Sequence, residues 1–233
     1  FPACSHPMII RILPPTGPSE ARPFFKESTH DETVRSGIGR LSLPHVRHGA
    51  GRHLPCPPPP DTKGGKPLMQ TLSGRATNRT FTAKPLSDKL LGDLLWAAYG
   101  VNRPNGKRTI PTAQNRQDLE IYVLRSSGAW LYDAPKHSLK QITSSDLRSF
   151  LAGQGLVREA PVLVYVTDTQ KNGKEFFAAM HAGSAYQNVG LFCASVGLHN
   201  VVRASYDAEG LASALGLPKS KRILISQSIG WGE

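Results

Sequence analysis

The three cysteines of this 233-residue chain, Cys4, Cys56 and Cys193, are too few and too far apart to form a C-x-x-C pair. Neither a disulfide framework nor a zinc site is expected from them. No run of eighteen apolar residues occurs, so no membrane-spanning helix is expected. The stretch Met8–Leu13, apolar but for Arg11, is cut short by Pro14-Pro15, too early for the core of a signal peptide. The first residue is Phe1 rather than Met, as expected of a fragment or a processed chain. The compartment is left open: the bacterial cytoplasm or, given an export signal upstream, the periplasm. G-x-S-x-G, H-E-x-x-H, a phosphate-binding G-x-x-x-x-G-K-[ST] loop and G-x-G-x-x-G are all absent. Serine-hydrolase, zinc-peptidase, P-loop and Rossmann readings therefore have no support. No nucleophile–base pair is visible either. Apolar residues make up 39% of the chain, slightly low for a globular protein; 22 glycines and 19 prolines account for the shortfall.

Positive charge is abundant, with a formal net charge of +11. Residues 1–65 hold 8 basic and 5 acidic residues, and residues 66–233 hold 20 and 12. The excess is spread along the chain and is not interleaved with aromatics, so nucleic acid is not an expected partner. A basic surface of this kind suits an anionic cofactor or substrate. A basic binding protein without enzymatic activity is the alternative that the charge alone would support.

The chain divides by composition. Residues 1–65 contain 12 of the 19 prolines, ending in Pro57-Pro58-Pro59-Pro60, and five of the eight histidines (His6, His30, His45, His48 and His53) at irregular spacing. Such a stretch cannot bury enough apolar surface to offset the entropy of ordering it. Residues 1–53 are read as a disordered tail without a metal site, and 54–65 as an extended, proline-rich arm. From Lys66 the pattern changes. A short amphipathic helix is expected over Lys66–Leu72. A second, capped by Ser87, carries Leu90, Leu91, Leu94, Leu95 and Ala98 on one face, with Trp96 and Tyr99 in the core, and ends at Gly100. A turn at Pro104-Asn105-Gly106 leads into a polar loop, Arg108–Asn115. Strands follow at Leu119–Leu124 and Trp130–Asp133, then a helix capped by Ser144 or Ser145 and reaching Leu151. The run Pro161–Val166 reads as a central strand covered on both faces. Phe176–Val196 is a long helix whose middle, His181-Ala182-Gly183-Ser184-Ala185, is small after the histidine: the central helix of the domain or a subunit contact. Cys193 on that helix reads as a small buried apolar residue. A strand at His199–Ala204, a helix from Asp207 to Leu215 and a last strand at Arg222–Ile229 complete an α+β domain over 66–233, a mixed sheet packed by helices.

Chemistry concentrates first at Arg75-Ala76-Thr77-Asn78-Arg79, where two planar guanidinium forks flank a hydroxyl. That arrangement suits phosphate oxygens. Further donors and acceptors lie at Pro111-Thr112-Ala113-Gln114-Asn115, Gln187-Asn188, Gly197-Leu198-His199-Asn200 and Gly230. Polar contacts without a catalytic acid or base suggest a bound cofactor that supplies the chemistry.

In their order, these residues resemble the FMN-dependent nitroreductase family, in a bacterial branch that includes thiazole oxidases of the SagB type, over about residues 54–233. The similarity rests on Arg75–Phe81, on Leu94–Gly100 followed by Asn102-Arg103-Pro104, on Pro111-Thr112-Ala113, on Gly183–Val201 and on Gly230-Trp231-Gly232. The resemblance implies a three-layer α-β-α fold with a mixed, mainly antiparallel sheet, dimeric, with FMN in the subunit interface. It implies NAD(P)H as electron donor and a small electron-poor acceptor such as a nitroaromatic or quinone. Azoline oxidation in peptides and reductive dehalogenation are the alternative reactions. By the same resemblance, Arg75 and Arg79, with Ala76 and Thr77 between them, would bind the FMN phosphate and ribityl chain. Pro111, Thr112 and Ala113 would follow the ring edge, Asn115 its polar rim, and Gln187 the cofactor or the interface. Leu198, His199, Asn200 and Gly230 would approach the ring, with His199 a candidate for the substrate pocket. Many relatives place a late cation from beyond the last strand on the phosphate, and Lys221 or Arg222 is a candidate substitute.

Overall fold

A computed structural model of the chain describes residues 57–154 and 160–233. The expected tail (1–53) and the first part of the expected arm (54–56) lie outside these residues. The arm from Pro57 onward lies along the second helix, where the Asp61 N–H donates to Asp93 at 2.9 Å.

Helix α1 (Leu68–Gly74) is short, and Ser195 of a later helix accepts from the Lys66 N–H ahead of it at 2.8 Å. Helix α2 (Asp88–Tyr99) starts where the Ser87 hydroxyl accepts from the Leu90 N–H, as its spacing predicts. Strands β1 (Leu119–Arg125), β2 (Gly128–Asp133) and β3 (Ser138–Thr143) form an antiparallel meander. The sequence does not announce β3, because only Leu139 and Ile142 are apolar in an edge strand that needs one covered face. The helix expected from Ser144 or Ser145 is instead a 3-10 stretch, Arg148–Gln154. Asp146 takes over the role given to the serines, accepting from the Arg148 N–H at 3.0 Å and from its guanidinium at 2.9 and 2.8 Å. Strand β4 (Val162–Asp168) leads into α3 (Glu175–Val196), which ends at Gly197 in the left-handed region (φ 79°). Glycine adopts that conformation without the steric cost a side chain incurs. Strand β5 (Leu198–Arg203), α4 (Ala208–Ala214, capped by Asp207) and β6 (Lys221–Trp231) complete the chain.

The sheet order is β3-β2-β1-β4-β6-β5. All five pairings are antiparallel, so the mixed sheet expected from the sequence contains no parallel pair among the described residues. The reason is topological: α3 joins β4 to β5, two strands of the same direction, but β6 returns between them and pairs with both.

Side-chain alternation along the central strands sorts two cores. Ile121, Val123, Leu163 and Tyr165 point to one face, under α2 and α3; Tyr122, Leu124, Val162, Val164 and Val166 point to the other, under α4 and the 3-10 stretch. The α+β, three-layer reading therefore holds. The small residues of α3 explain its place: Ala178, Ala182 and Ala185 are buried, letting the helix lie close against the sheet and α2. Among the described residues no helix is long and apolar enough to cross a membrane.

Two outcomes follow. Ser87→Ala should cost about 1 kcal/mol, and Gly128→Ala more, because Gly128 has φ 138° and an added Cβ would strike the Thr143 carbonyl; urea denaturation reads both. Burial pushes the Cys193 thiol well above its ordinary value. Alkylation at neutral pH, mapped by mass spectrometry, should modify Cys193 only after unfolding.

Candidate functional site

Two elements carry the candidate site: the segment after α1, and the loop before β1. Both are attached to α3.

The first is Arg75–Thr82. It is laid over the ends of β5 and β6: the Asn78 N–H donates to the Asn200 carbonyl at 2.9 Å, and the Thr82 N–H to that of Trp231 at 2.8 Å. His199 Nδ1 lies 2.8 Å from the Thr80 carbonyl and donates to it. The ring of His199 stands edge-on to Phe81. Gly230 makes room for Phe81, whose Cδ1 would lie 3.0 Å from an added Cβ. Asn200 is itself fixed from below. The Tyr165 hydroxyl donates to Gln227 Oε1 at 2.6 Å, and Gln227 Nε2 donates to Asn200 Oδ1 at 3.0 Å and to the Tyr186 carbonyl at 3.3 Å. Full burial pushes the Tyr165 phenol well above its ordinary value, which keeps it a donor. Leu198 is buried in the core. Strand β5 thus takes in Leu198 along with His199 and Asn200; the His199 ring and the Asn200 backbone carbonyl hold the segment in place, and the Asn200 side chain is itself held by Gln227.

Ala76, Thr77 and both arginines of this segment are exposed. Neither arginine pairs with a carboxylate among the described residues. The methylenes of Arg75 lie beside Gly190 of α3. A third cation, not found from the sequence, lies near: Arg203 of β5 is buried, and burial first, then the positive charge of Arg79, hold its guanidinium below the ordinary value. Its signal was an arginine closing an otherwise apolar Val201-Val202 strand. The expected substitutes fare differently. Lys221 bonds Glu120 at 2.7 and 2.8 Å, and Arg222 pairs with Glu175 at 3.1 Å. Asn200 faces Ile229 across the sheet, so Arg222 stands seven residues down β6 from it, roughly 24 Å.

The second element is the loop Pro111–Gln117. Gln114, Asn115 and Gln117 all have positive φ (53°, 53° and 47°), a strained run for residues with side chains. Hydrogen bonds within the loop and to α3 hold it. The Asn115 N–H donates to the Thr112 carbonyl (2.9 Å), the Gln117 N–H to the Thr112 hydroxyl (3.2 Å) and Gln117 Nε2 to Asn115 Oδ1 (3.2 Å). The Ala113 N–H donates to His181 Nε2 (2.8 Å). The histidine is held in turn by Asp118, whose Oδ1 is 2.6 Å from His181 Nδ1. Since Nε2 accepts, the imidazole is neutral with its proton on Nδ1, an assignment made from the partners. Asp118 is 0% exposed, and its other oxygen accepts from Thr167 (2.9 Å) and Asn172 (3.2 Å). This carboxylate–histidine pair was missed in the sequence, where 63 residues separate its members. It is a clamp on the loop rather than a base, because both ring nitrogens are occupied.

The remaining expected residues fall as follows. Gln187 is exposed, whereas its neighbour Asn188 ties α3 to α2 by donating to the Ala97 carbonyl at 3.0 Å. Pro111 and Asn115 are exposed; Thr112 and Ala113 are half-buried. Trp96 donates to the Val101 carbonyl at 3.0 Å, and Trp130 is buried in the core. His181 and Gly190, the contact points of the two elements, are nine residues apart on α3. That is about 13.5 Å along the axis and about 180° around it. The structure therefore sets the two elements on opposite flanks of one helix.

The sequence profile of the nitroreductase family matches residues 72–231, from the end of α1 through β6. The chain belongs to the nitroreductase family. It is 32% identical over 160 residues to a Methanocaldococcus jannaschii protein named as a nitroreductase, covering 61% of this chain and 81% of that relative. A crystal structure of a Ralstonia eutropha protein named as a nitroreductase superposes with a TM-score of 0.71 at 32% identity, covering 87% of this chain and 98% of the other. A Desulfovibrio desulfuricans protein of the same designation, crystallised with FMN, shares the fold at a TM-score of 0.55 and 22% identity, over 72% and 87% of the two chains. Membership supports an oxidoreductase with a flavin cofactor.

His181→Ala should lower stability by about 3 kcal/mol, because it strips a partner from a buried carboxylate. In hydrogen exchange, the Ala113 amide should lose its protection well before the β4 amides do. Equal protection in variant and wild type would show that the clamp does not hold the loop.

Proposed function

We propose that this nitroreductase-family chain is an FMN-dependent oxidoreductase that takes hydride from NAD(P)H and delivers it to an electron-poor acceptor such as a nitroaromatic or quinone. The observation that carries this reading is the segment Arg75–Arg79. Its two guanidinium groups are exposed and have no carboxylate partner among the described residues, and a third, Arg203, is buried nearby. Two exposed guanidinium forks flanking a hydroxyl fit a phosphate. FMN, when bound, supplies the electron-carrying ring. Arg75 and Arg79, with Thr77 adding a hydroxyl, would hold its phosphate end. Pro111, Thr112, Ala113 and Asn115 would line the ring, kept in position by the His181 clamp. Any donor offered by Leu198–Asn200 is backbone N–H on the side of β5 away from β6.

Arg75 and the Pro111–Asn115 loop lie on opposite flanks of α3. A site using both is therefore most simply built by two copies, the segment from one and the loop from the other. Large apolar side chains support a homodimer: Met69 is 75% exposed and Phe176 71%, with Leu68, Leu72 and Met180 also exposed. Phe176, Met180 and Gln187 share one outward face of α3, within about 40° of arc, which supports Gln187 as a residue of this interface.

Protein loaded with FMN should show flavin absorbance. Arg75→Ala/Arg79→Ala should weaken FMN binding about a hundredfold or more, given the strength of charge-assisted bonds. A wild-type protein that stays colourless after incubation with FMN would refute the reading. The strained Gln114–Gln117 loop keeps azoline oxidation or dehalogenation as the second reading. Flavin-loaded protein that NADPH does not reduce in stopped flow would favour it.

A further inference from the structure

Between residues 102 and 117 the chain carries Arg103, Lys107, Arg108 and Arg116 and no acidic residue. The structure gathers the first three around one cavity of about 390 Å³, whose wall continues through Thr109, Thr112 and Asn115. A tight hairpin fixes their places. Val101 bridges Arg108, the Asn102 N–H donates to the Lys107 carbonyl at 3.2 Å, and the Gly106 N–H to that of Arg103 at 3.1 Å. Arg108 is held more firmly still: Nε donates to Gln117 Oε1 at 3.0 Å and the guanidinium lies over the Tyr99 ring, 4.9 Å from its centroid. None of the three cations pairs with a carboxylate among the described residues. The nearest acid in sequence, Asp118, is turned inward to His181, Thr167 and Asn172. Holding three like charges around a concavity is unfavourable until an anion enters it.

We propose that this cavity binds the phosphate-bearing end of the nicotinamide dinucleotide. The inference deepens the proposed function and rests on its choice of electron donor. The size is that of a small-molecule site rather than of a nucleic-acid groove. Three cations match a ligand with several negative charges, and a neutral nitroaromatic or quinone would gain nothing from them. The cavity also shares Pro111, Thr112 and Asn115 with the loop assigned to the flavin, so donor and ring have adjoining sites.

The test uses FMN-loaded protein and the exposed pair Arg103→Glu/Lys107→Glu, which lies outside the residues assigned to FMN. Calorimetry should show NADP⁺ binding weakened tenfold or more in the variant. Stopped-flow reduction should need a correspondingly higher NADPH concentration. Reduction by N-benzyl-dihydronicotinamide, which has no phosphate, should proceed as in the wild type. Unchanged NADP⁺ affinity, or an equal loss with the phosphate-free donor, would overturn the inference. A wild type that neither donor reduces would instead refute the choice of donor in the proposed function.

Discussion

A fully buried carboxylate sets the terms for the candidate site. Asp118 sits at the start of β1 with no access to water, where an unsatisfied charge would cost several kcal/mol. It is satisfied only if α3 brings His181, β4 brings Thr167 and the following turn brings Asn172. One group thereby ties the central helix to the central strands. The outer nitrogen of the same histidine then accepts from Ala113, so the strained loop is held by the same imidazole that donates to the buried carboxylate. At the other flank, the Tyr165–Gln227–Asn200 chain does the corresponding task for the arginine segment. Satisfied buried polar networks of this kind hold one geometry and penalise its neighbours.

This layout explains how positive charge is managed. Arg75, Arg79, Arg103 and Lys107 are kept exposed and Arg108 half-buried, and the acids that could neutralise them are engaged elsewhere. Glu120 holds Lys221, Glu175 pairs with Arg222, and Asp118 is buried. Among the described residues, two groups of cations are thereby left without a carboxylate partner: Arg75 with Arg79, and Arg103 with Lys107 and Arg108.

Long periodic segments were legible in the sequence because their signal is local. The Leu90–Ala98 face, the apolar Pro161–Val166 run and the Phe176–Val196 helix each announced themselves, and Ser87, Asp207 and Gly197 marked ends where the structure places them. The polar edge strand β3 was not legible, and the Ser144–Ser145 cap gave way to Asp146, whose partner Arg148 is a tertiary anchor to Ala160. The arginine pair could be read from spacing alone. The Asp118–His181 clamp and Arg203 could not, since each depends on strand and helix positions that only the folded chain brings together. Lys221 and Arg222 were plausible by their lateness in the chain, but β6 carries them to the far end of the sheet.

The proposed sharing of one flavin site between two copies, drawn from the opposite flanks of α3, is what mixed pairs test most directly. One chain would carry Arg75→Ala/Arg79→Ala; the other would have residues 111–115 replaced by glycines. Heterodimers isolated from co-expression should bind about one FMN per pair by absorbance, because one intact segment meets one intact loop, while each homodimer binds none. Heterodimers that bind no FMN would show that segment and loop act within a single copy, and would contradict the shared site.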